Sequence, residues 1–270
     1  MRARISFLTG LFALLFVTTV SAQQKESFVE SAAGLEIKMV YVDGGTFKMG
    51  STDDDPDAGV PEKPQHEVTV SSFYISEFTI TQAQWQKLMG TTITEQRDKY
   101  GPSAILKGEG DKYPIYYVSW KEANAFCQKL SKESGKKYML PTEAQWEFAA
   151  RGGNKSRGTK FSGSNTATDV AWIGGHSKNS SHPVGELQPN ELGLYDMSGN
   201  VMEWCNDWFD RAYYSVSPSK DPAGPNSGDR KVLRGGSHNY YERHNRVTSR
   251  ICRGPAERYP DVGFRIVCIP

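Results

Sequence analysis

The stretch Gly193-Leu-Tyr-Asp-Met-Ser-Gly-Asn-Val-Met-Glu-Trp204 carries the most information about the fold of this chain. Its Ser-Gly-Asn centre is typical of a tight turn. Two carboxylates, Asp196 and Glu203, stand on either side of that turn, and apolar or aromatic residues fill most of the remaining positions. This composition predicts an ordered, packed turn with two acids close to it.

The tract around this turn, from residue 154 to the C-terminus, has little regular periodicity and is rich in Gly, Asn, Ser, Pro and Trp. Structureless tracts of this length are uncommon in compact domains. Short apolar islands interrupt it, among them 170–172, 192–195 and 201–204. We therefore expect ordered loops packed by tryptophans, within one domain that has no repeat and no internal linker.

Upstream of residue 154, the patterns predict three helices and a few short strands. The helices are expected at 79–90, beginning with a threonine cap, at 120–134, and at 138–152 with a Pro-Thr-Glu start. Alternating residues at 39–50, around Asp43-Gly-Gly45, predict a β-hairpin, and residues 67–75 predict a strand. Residues 51–65 and 91–112 are expected to be loops. The fold class is α+β.

The N-terminus is typical of a secretory signal. A basic Met1–Arg4 precedes an apolar run, Ile5–Val20, and small residues end the segment at Ala22. A membrane anchor is the alternative, but the run is short for a bilayer. We expect a signal peptide at 1–22, a flexible segment at 23–36 and a folded domain at 37–270. The mature protein is then exported, to a periplasm, a cell surface or the medium, without membrane insertion.

The charge balance argues against one class of function, and the cysteines allow disulfide bonds. With 32 basic and 31 acidic residues, the chain lacks the electrostatic footprint of a nucleic-acid-binding protein. Its four cysteines, at 127, 205, 252 and 268, can pair in three ways in an oxidising compartment, and the sequence leaves the pairing open.

Several segments in this order resemble the formylglycine-generating enzyme, or sulfatase-modifying factor, family. They are Gly44–Gly50, Leu140–Gly153, His182–Gly185, Gly193–Trp204, Leu233–Ser237 and Gly263–Arg265. The resemblance runs from about residue 40 to 267. It implies a C-type-lectin-like α+β domain with little regular secondary structure, which agrees with the pattern described above.

The resemblance also implies an active site, in which two cysteines bind copper and oxidise a sulfatase cysteine to formylglycine. They lie three residues beyond the serine of Gly-Gly-Ser and five further on, where this chain has Tyr240 and Asn245. Phenol and carboxamide groups do not replace thiolates on copper(I). Copper and catalysis are therefore not expected, although Ser237 and Arg253 match residues that the enzymes retain in the pocket.

A calcium site is the second implication of the resemblance. The Asp196 and Glu203 side chains and the Gly199 and Val201 carbonyls would be its ligands, as hard oxygens suit calcium. The alternative is that Asp196 caps the turn through its own backbone and that Glu203 is solvated.

We expect a non-catalytic protein that presents the 237–262 loop to a protein, peptide or glycan. The pocket residues of this hypothesis are Ser237, His238, Tyr240, Tyr241, His244, Asn245 and Arg253. Tyr, His, Asn and Arg are typical of recognition surfaces. The alternative is that these side chains fill the cleft and close it. There are two rival functions. One is a divergent formylglycine-generating oxidase that activates sulfatases, and the other is a structural subunit of a cell-envelope complex. Sugar stacking on Trp172 or Trp208 is a further, minor alternative.

Overall fold

The structure, a computed structural model, describes residues 26–270. The predicted signal peptide at 1–22 lies outside the described residues. Within 26–270, no helix is long and apolar enough to cross a membrane.

Eleven strands form three sheets within this part of the chain. In chain order they are β1 (Phe28–Glu30), β2 (Ile37–Val42), β3 (Gly45–Met49), β4 (His66–Val70), β5 (Phe73–Ser76), β6 (Lys137–Met139), β7 (Met202–Trp208), β8 (Lys231–Arg234), β9 (Arg250–Arg253), β10 (Val262–Gly263) and β11 (Val267–Ile269). The first sheet has the order β1-β2-β5-β11-β6 and is antiparallel throughout. The second has the order β10-β7-β8-β9, and β3 pairs with β4 in the third.

The helices are α1 (Gln82–Met89), α2 (Ile93–Tyr100), α3 (Trp120–Ser134), α4 (Glu143–Ala150) and the short α5 (Ala167–Val170). Helix α3 has the predicted bounds, and Thr142 caps α4 through the Gln145 N–H as its Pro-Thr-Glu start indicates. The mixed α+β class with short elements is confirmed.

Three details of the helix prediction were wrong. The cap of α1 is Thr81 rather than Thr79. Residues 137–139 form strand β6, so the third predicted helix begins five residues late, at Glu143. Helix α2 occupies a stretch expected to be a loop, although Thr92 and Glu95 form a reciprocal capping box, a signal that the sequence carried.

The predicted hairpin at 39–50 does not form. Strand β2 pairs with β1 and β5, whereas β3 pairs with β4, so the Asp-Gly-Gly corner moves the chain from one sheet to another. The predicted strand 67–75 divides at Ser71-Ser72 for the same reason. The two corners lie side by side, because the Gly44 N–H donates to the Ser72 hydroxyl at 3.0 Å.

Part of the segment predicted to be flexible, 23–36, is ordered. Residues 28–30 form edge strand β1, in which the Phe28 ring meets Tyr74 edge-on at 5.0 Å. The Glu30 carboxylate accepts hydrogen bonds from Tyr138 at 2.6 Å and Lys136 at 2.8 Å. The polar composition concealed these contacts, since each joins residues far apart in the sequence.

The C-terminal tract is more regular than expected. Residues 154–201 are largely irregular, as predicted, but five strands follow from Met202 onward. Buried ion pairs attach helix α4 to the second sheet: Arg250 binds Glu143 at 2.6 and 2.7 Å, and Arg234 binds Glu147. This sheet and helix α4 support the 193–204 turn and the loop that follows Ser237.

Candidate functional site

The 193–204 turn is rigid. Asp196 and Asn200 adopt left-handed backbone angles, with φ of 57° and 59°. The Asn200 side chain accepts from the His182 N–H and donates to the His182 carbonyl, each at 3.1 Å. A Cβ atom at Gly199 would lie 2.5 Å from the Trp172 carbonyl oxygen, so only glycine fits there.

Glu203 is fully buried, and its carboxylate accepts hydrogen bonds from two neighbouring side chains. Arg265 donates to both of its carboxylate oxygens, at 2.7 and 2.9 Å, and the Trp146 indole N–H donates at 2.7 Å. The carboxylate therefore has a fixed cationic partner, and it is not solvated as the alternative interpretation expected.

These groups, as arranged, do not fit the calcium site that the resemblance implies. Arg265 already supplies the positive charge at Glu203. Asp196 accepts a hydrogen bond from the Gly185 N–H at 2.9 Å, and burial raises its pKa to about 6, so it loses its negative charge in mildly acidic solution. Within residues 26–270, no three carboxylates, histidines or cysteines converge as metal ligands. Gly199 and Val201 lie on the same turn, but Asp196, Glu203 and Arg265 together leave only one negative charge beside them at neutral pH.

Hydrogen bonds to the rest of the fold hold the segment that begins at Ser237. The Ser237 hydroxyl donates to Asp261 at 2.8 Å. His238 is fully buried, its backbone N–H donates to the Asn200 carbonyl at 2.9 Å, and its Nδ1 lies 2.8 Å from the same oxygen. His238 is thus fixed to the 193–204 turn and Ser237 to Asp261, and both side chains are buried.

The His238 imidazole is held neutral. Nδ1 is the donor to Asn200, because a carbonyl oxygen can only accept. Nε2 is buried and has no hydrogen-bond partner among the described residues. Burial lowers the pKa of His238, and Lys107 and His182 lower it further, while the Asn200 carbonyl and Asp261 oppose them.

Tyr240 and Asn245, at the positions that the resemblance assigns to the cysteine pair, hold the loop closed. The Asn245 amide donates to the carbonyls of Tyr240 at 3.1 Å and Tyr241 at 2.9 Å. The Tyr240 ring packs on the main apolar core and meets His244 edge-on at 5.3 Å. Tyr240, His244 and Ile251 are among the residues that line a cavity of about 10 Å³, which has room for one water molecule at most.

The loop therefore divides into buried and exposed parts. Ser237, His238 and Asn245 are buried, and Tyr240 and His244 are partly so. Tyr241 projects from the same loop with 76% of its surface exposed, and Asn239, Glu242 and Arg243 are exposed beside it. Of the predicted pocket residues between 237 and 245, Tyr241 is the one that is free to meet a partner.

Arg253 lies apart from this tip, on strand β9. Its guanidinium stacks on the Tyr259 ring at 4.9 Å, and its one hydrogen bond is a long one, 3.4 Å, to the Cys252 carbonyl. Ile251 faces the Tyr240 cavity, so Cys252, the next residue along the strand, points to the opposite face. All four cysteines are free thiols, and three of them are buried.

Both tryptophans that were considered for sugar stacking already have partners on their rings. Trp172 lies between His176 and His182, whose rings are 4.9 and 3.7 Å away. Trp208 carries the Lys231 ammonium at 3.7 Å and stacks on Trp120 beyond it.

Larger cavities lie elsewhere on the described part of the chain. One of about 570 Å³ is lined by Ile37, Phe78 and Thr79, and one of about 400 Å³ by Asp55, Lys160 and Arg246. Neither includes a predicted site residue.

Two residues that build the site were not predicted from the sequence. Arg265 occurs in the Gly-Phe-Arg motif and could have been proposed as the partner of a buried acid. Asp261, which fixes Ser237, has no distinguishing signal in the sequence.

Comparisons with known proteins agree with this architecture. Residues 24–269 match the sulfatase-modifying factor enzyme 1-like domain. A formylglycine-generating enzyme of Streptomyces coelicolor is 31% identical over 288 residues, covering 84% of this chain and 87% of that protein. The chaperone protein LppX of Paenibacillus barcinonensis is 31% identical over 220 residues, covering 63% and 71%.

Solved structures are similar over almost the whole described chain. Treponema denticola variable protein 1 has a TM-score of 0.78 and 30% identity, covering 90% of this chain and 99% of that one. PvdO from Pseudomonas aeruginosa has a TM-score of 0.75 and 26% identity, covering 90% and 98%. On its sequence motifs, its fold and these matches, the chain belongs to the sulfatase-modifying factor family.

Proposed function

We propose that this protein is an exported, non-catalytic member of the family that uses the 237–262 loop to bind a protein, peptide or glycan. The observation that carries the proposal is the structural role of Tyr240 and Asn245. Both side chains hold the loop in place, at the positions where the family's oxidase chemistry requires thiolates.

The small cavity beside Tyr240 supports the same conclusion. A peptide cysteine needs room to reach the reacting groups, and about 10 Å³ does not admit one. The remaining thiols do not replace the pair. Cys252 points away from the cavity, and burial raises the pKa of Cys127, Cys205 and Cys268, which keeps these thiols protonated and unreactive.

The exposed tip supports a binding role. Tyr241 offers a large, amphipathic contact area on a backbone that Asn245 already holds, so little conformational entropy is lost when a partner binds. Export remains part of the proposal and rests on residues 1–22.

The catalytic arm of the test uses purified protein, copper and a Cys-x-Pro-x-Arg sulfatase peptide. We expect no peptide with the mass of the formylglycine product. A copper-dependent product that disappears in Cys252→Ser would overturn the non-catalytic assignment.

The binding arm compares wild type with Tyr241→Ala, and with Val216→Ala as a control that removes an equally exposed apolar side chain outside the loop. Each protein is immobilised and exposed to an extract of the source organism's cell envelope. We expect Tyr241→Ala to lose a partner that wild type and Val216→Ala both retain. Identical capture by all three would contradict the proposal.

A further inference from the structure

One partly buried arginine, Arg253, has no carboxylate partner among the described residues. Within residues 26–270, every arginine that is not exposed has a carboxylate within 4.0 Å, with the exception of Arg253. The paired set is Arg97, Arg151, Arg234, Arg246, Arg250, Arg258 and Arg265. A guanidinium that is partly withdrawn from water without a counter-charge is unfavourable. Arg253 is therefore the arginine most able to bind an external anion.

The geometry prepares Arg253 to bind an anion. Its aromatic contact with Tyr259, at 4.9 Å, fixes the plane of the guanidinium. Its Nε is buried and has no acceptor among the described residues, and its single hydrogen bond, to the Cys252 carbonyl, is 3.4 Å long. Most of its donors are therefore unused, in the planar arrangement that matches a carboxylate.

The nearest acid does not neutralise it. Glu257 accepts hydrogen bonds from the Gly254 N–H at 2.8 Å and the Tyr259 hydroxyl at 2.9 Å, and these bonds lower its pKa. It lies beyond 4.0 Å from Arg253, and Arg230 is a second cation near it. The local balance of Arg253, Arg230 and Glu257 leaves one positive charge.

Exposed apolar groups, connected to Arg253 through Tyr259 and Tyr117, favour a protein over a glycan. The Tyr259 carbonyl accepts from the Tyr117 N–H, and the Tyr117 hydroxyl donates to the Ile105 carbonyl. Ile105 is 71% exposed, and Tyr100, whose ring lies 5.2 Å from that of Tyr117, is 54% exposed. Arginine, tyrosine and exposed aliphatic side chains in one region of the surface are typical of a protein interface.

We propose that Arg253, stacked on Tyr259, binds a carboxylate of a protein or peptide partner of the 237–262 loop, while Ile105 and Tyr100 contact apolar residues of that partner. This proposal rests on the proposed function. It adds the chemistry of the partner: an acidic residue next to apolar ones.

The test observes the arginine Nε–H signals by NMR in the mature chain during titration with N-acetylglutamate. N-acetylglutamine, which has the same shape without the charge, is the control ligand, and inorganic sulfate is a third arm. We expect a saturable shift at Arg253 with the glutamate only, and a weaker one at higher ionic strength. Arg253→Gln and Arg253→Lys lack that signal, so their binding is followed at the backbone N–H of Tyr259. Arg253→Gln should weaken binding roughly tenfold or more, and Arg253→Lys should restore part of it.

Arg211→Gln is the control variant, because Arg211 is exposed, lies in another part of the fold and has no carboxylate within 4.0 Å among residues 26–270. It should leave the titration unchanged, and the melting temperature of each variant establishes that it is folded. An Arg253 signal that does not respond, or that responds equally to the glutamine analogue, would overturn the proposal. A response to sulfate alone would do so in favour of a sulfated ligand. Because the titration needs no natural partner, it can fail while capture by Tyr241 succeeds, or the reverse.

Discussion

Arg265 and Glu203 form a fully buried bidentate ion pair, with Nε 2.7 Å from Oε2 and Nη2 2.9 Å from Oε1. The same guanidinium donates to the Ser76 carbonyl at 3.0 Å and the Tyr195 carbonyl at 2.8 Å. One side chain thus connects strand β7, the end of β5 and the 193–204 turn. The pair occupies the position where the family resemblance implies a cation.

We therefore expect the stability of the protein to be independent of calcium. A ligand of the folded state at a hundredfold excess over its Kd adds about 2.7 kcal/mol. If Arg265 already neutralises Glu203, neither EDTA nor added calcium should move the melting temperature. Elemental analysis of protein purified without chelator is the second measurement. One bound calcium per chain, with a lower melting temperature in EDTA, would restore the calcium site.

Breaking the ion pair should be costly. Glu203→Gln keeps the size of the side chain but leaves the Arg265 charge buried and unpaired, so we expect a loss of about 3–5 kcal/mol in the free energy of unfolding. Glu67→Gln is the matched control, because Glu67 pairs with Lys48 on the surface, where an ion pair contributes about 1 kcal/mol or less. Urea denaturation measures both, and equal effects would show that the buried pair is not a major support of the turn.

The sequence predicted those parts of the fold that depend on local chemistry. Ser119 and Thr142 accept from backbone N–H groups three residues ahead, so residues close in the chain determine where α3 and α4 begin. The hairpin prediction failed because strand pairing is long-range. Val40 pairs with Ile75, and no turn signal near Gly44 reveals that the chain changes sheet there.

The site divides in the same way. The turn around Asn200 and the substituted positions Tyr240 and Asn245 could be found from motifs. The Gly-Phe-Arg motif points to Arg265 as a partner for some buried acid, but it does not identify Glu203, because the two residues lie 62 positions apart and that spacing has no periodic meaning. The exposure of Tyr241 and the burial of its neighbour Tyr240 depend on how the loop folds over the core, and composition alone treats the two tyrosines alike.

His238 should make stability depend on pH. Its pKa is lowered in the folded state from the ordinary 6.5, mainly by burial, so the unfolded chain binds more protons in the interval below 6.5. Its contribution is complete above that pH and is lost as pH falls toward the folded pKa. The raised pKa of Asp196, about 6, acts in the opposite direction, so the difference between wild type and His238→Gln isolates the histidine. Urea midpoints from pH 5 to 8 should converge at low pH, and parallel curves would contradict the assignment.

Asn245 should be required for the shape of the loop. Asn245→Asp keeps the size of the side chain but replaces the amide donor with a carboxylate that faces two carbonyl oxygens, so we expect a loss of about 1–3 kcal/mol. Asn239→Asp introduces the same charge at an exposed position six residues earlier and should be close to neutral. Thermal melts of the two variants provide the comparison. If both are equally stable, the amide does not hold the loop.

Adjacent tyrosines give the sharpest test of how this loop is used. Tyr240 packs on the apolar core, so Tyr240→Ala should lower the free energy of unfolding by about 2–4 kcal/mol, as large-to-small changes in packed sites do. Tyr241 is 76% exposed, so Tyr241→Ala should change stability by about 0.5 kcal/mol or less and yet lose partner capture. Urea denaturation and capture are measured on the same two proteins. Strong destabilisation by Tyr241→Ala would mean that this side chain also closes the cleft, whereas unchanged capture would remove the loop tip from the binding surface. Stability lost at residue 240 and capture lost at residue 241 would together assign the cleft-filling role to one tyrosine and recognition to the other.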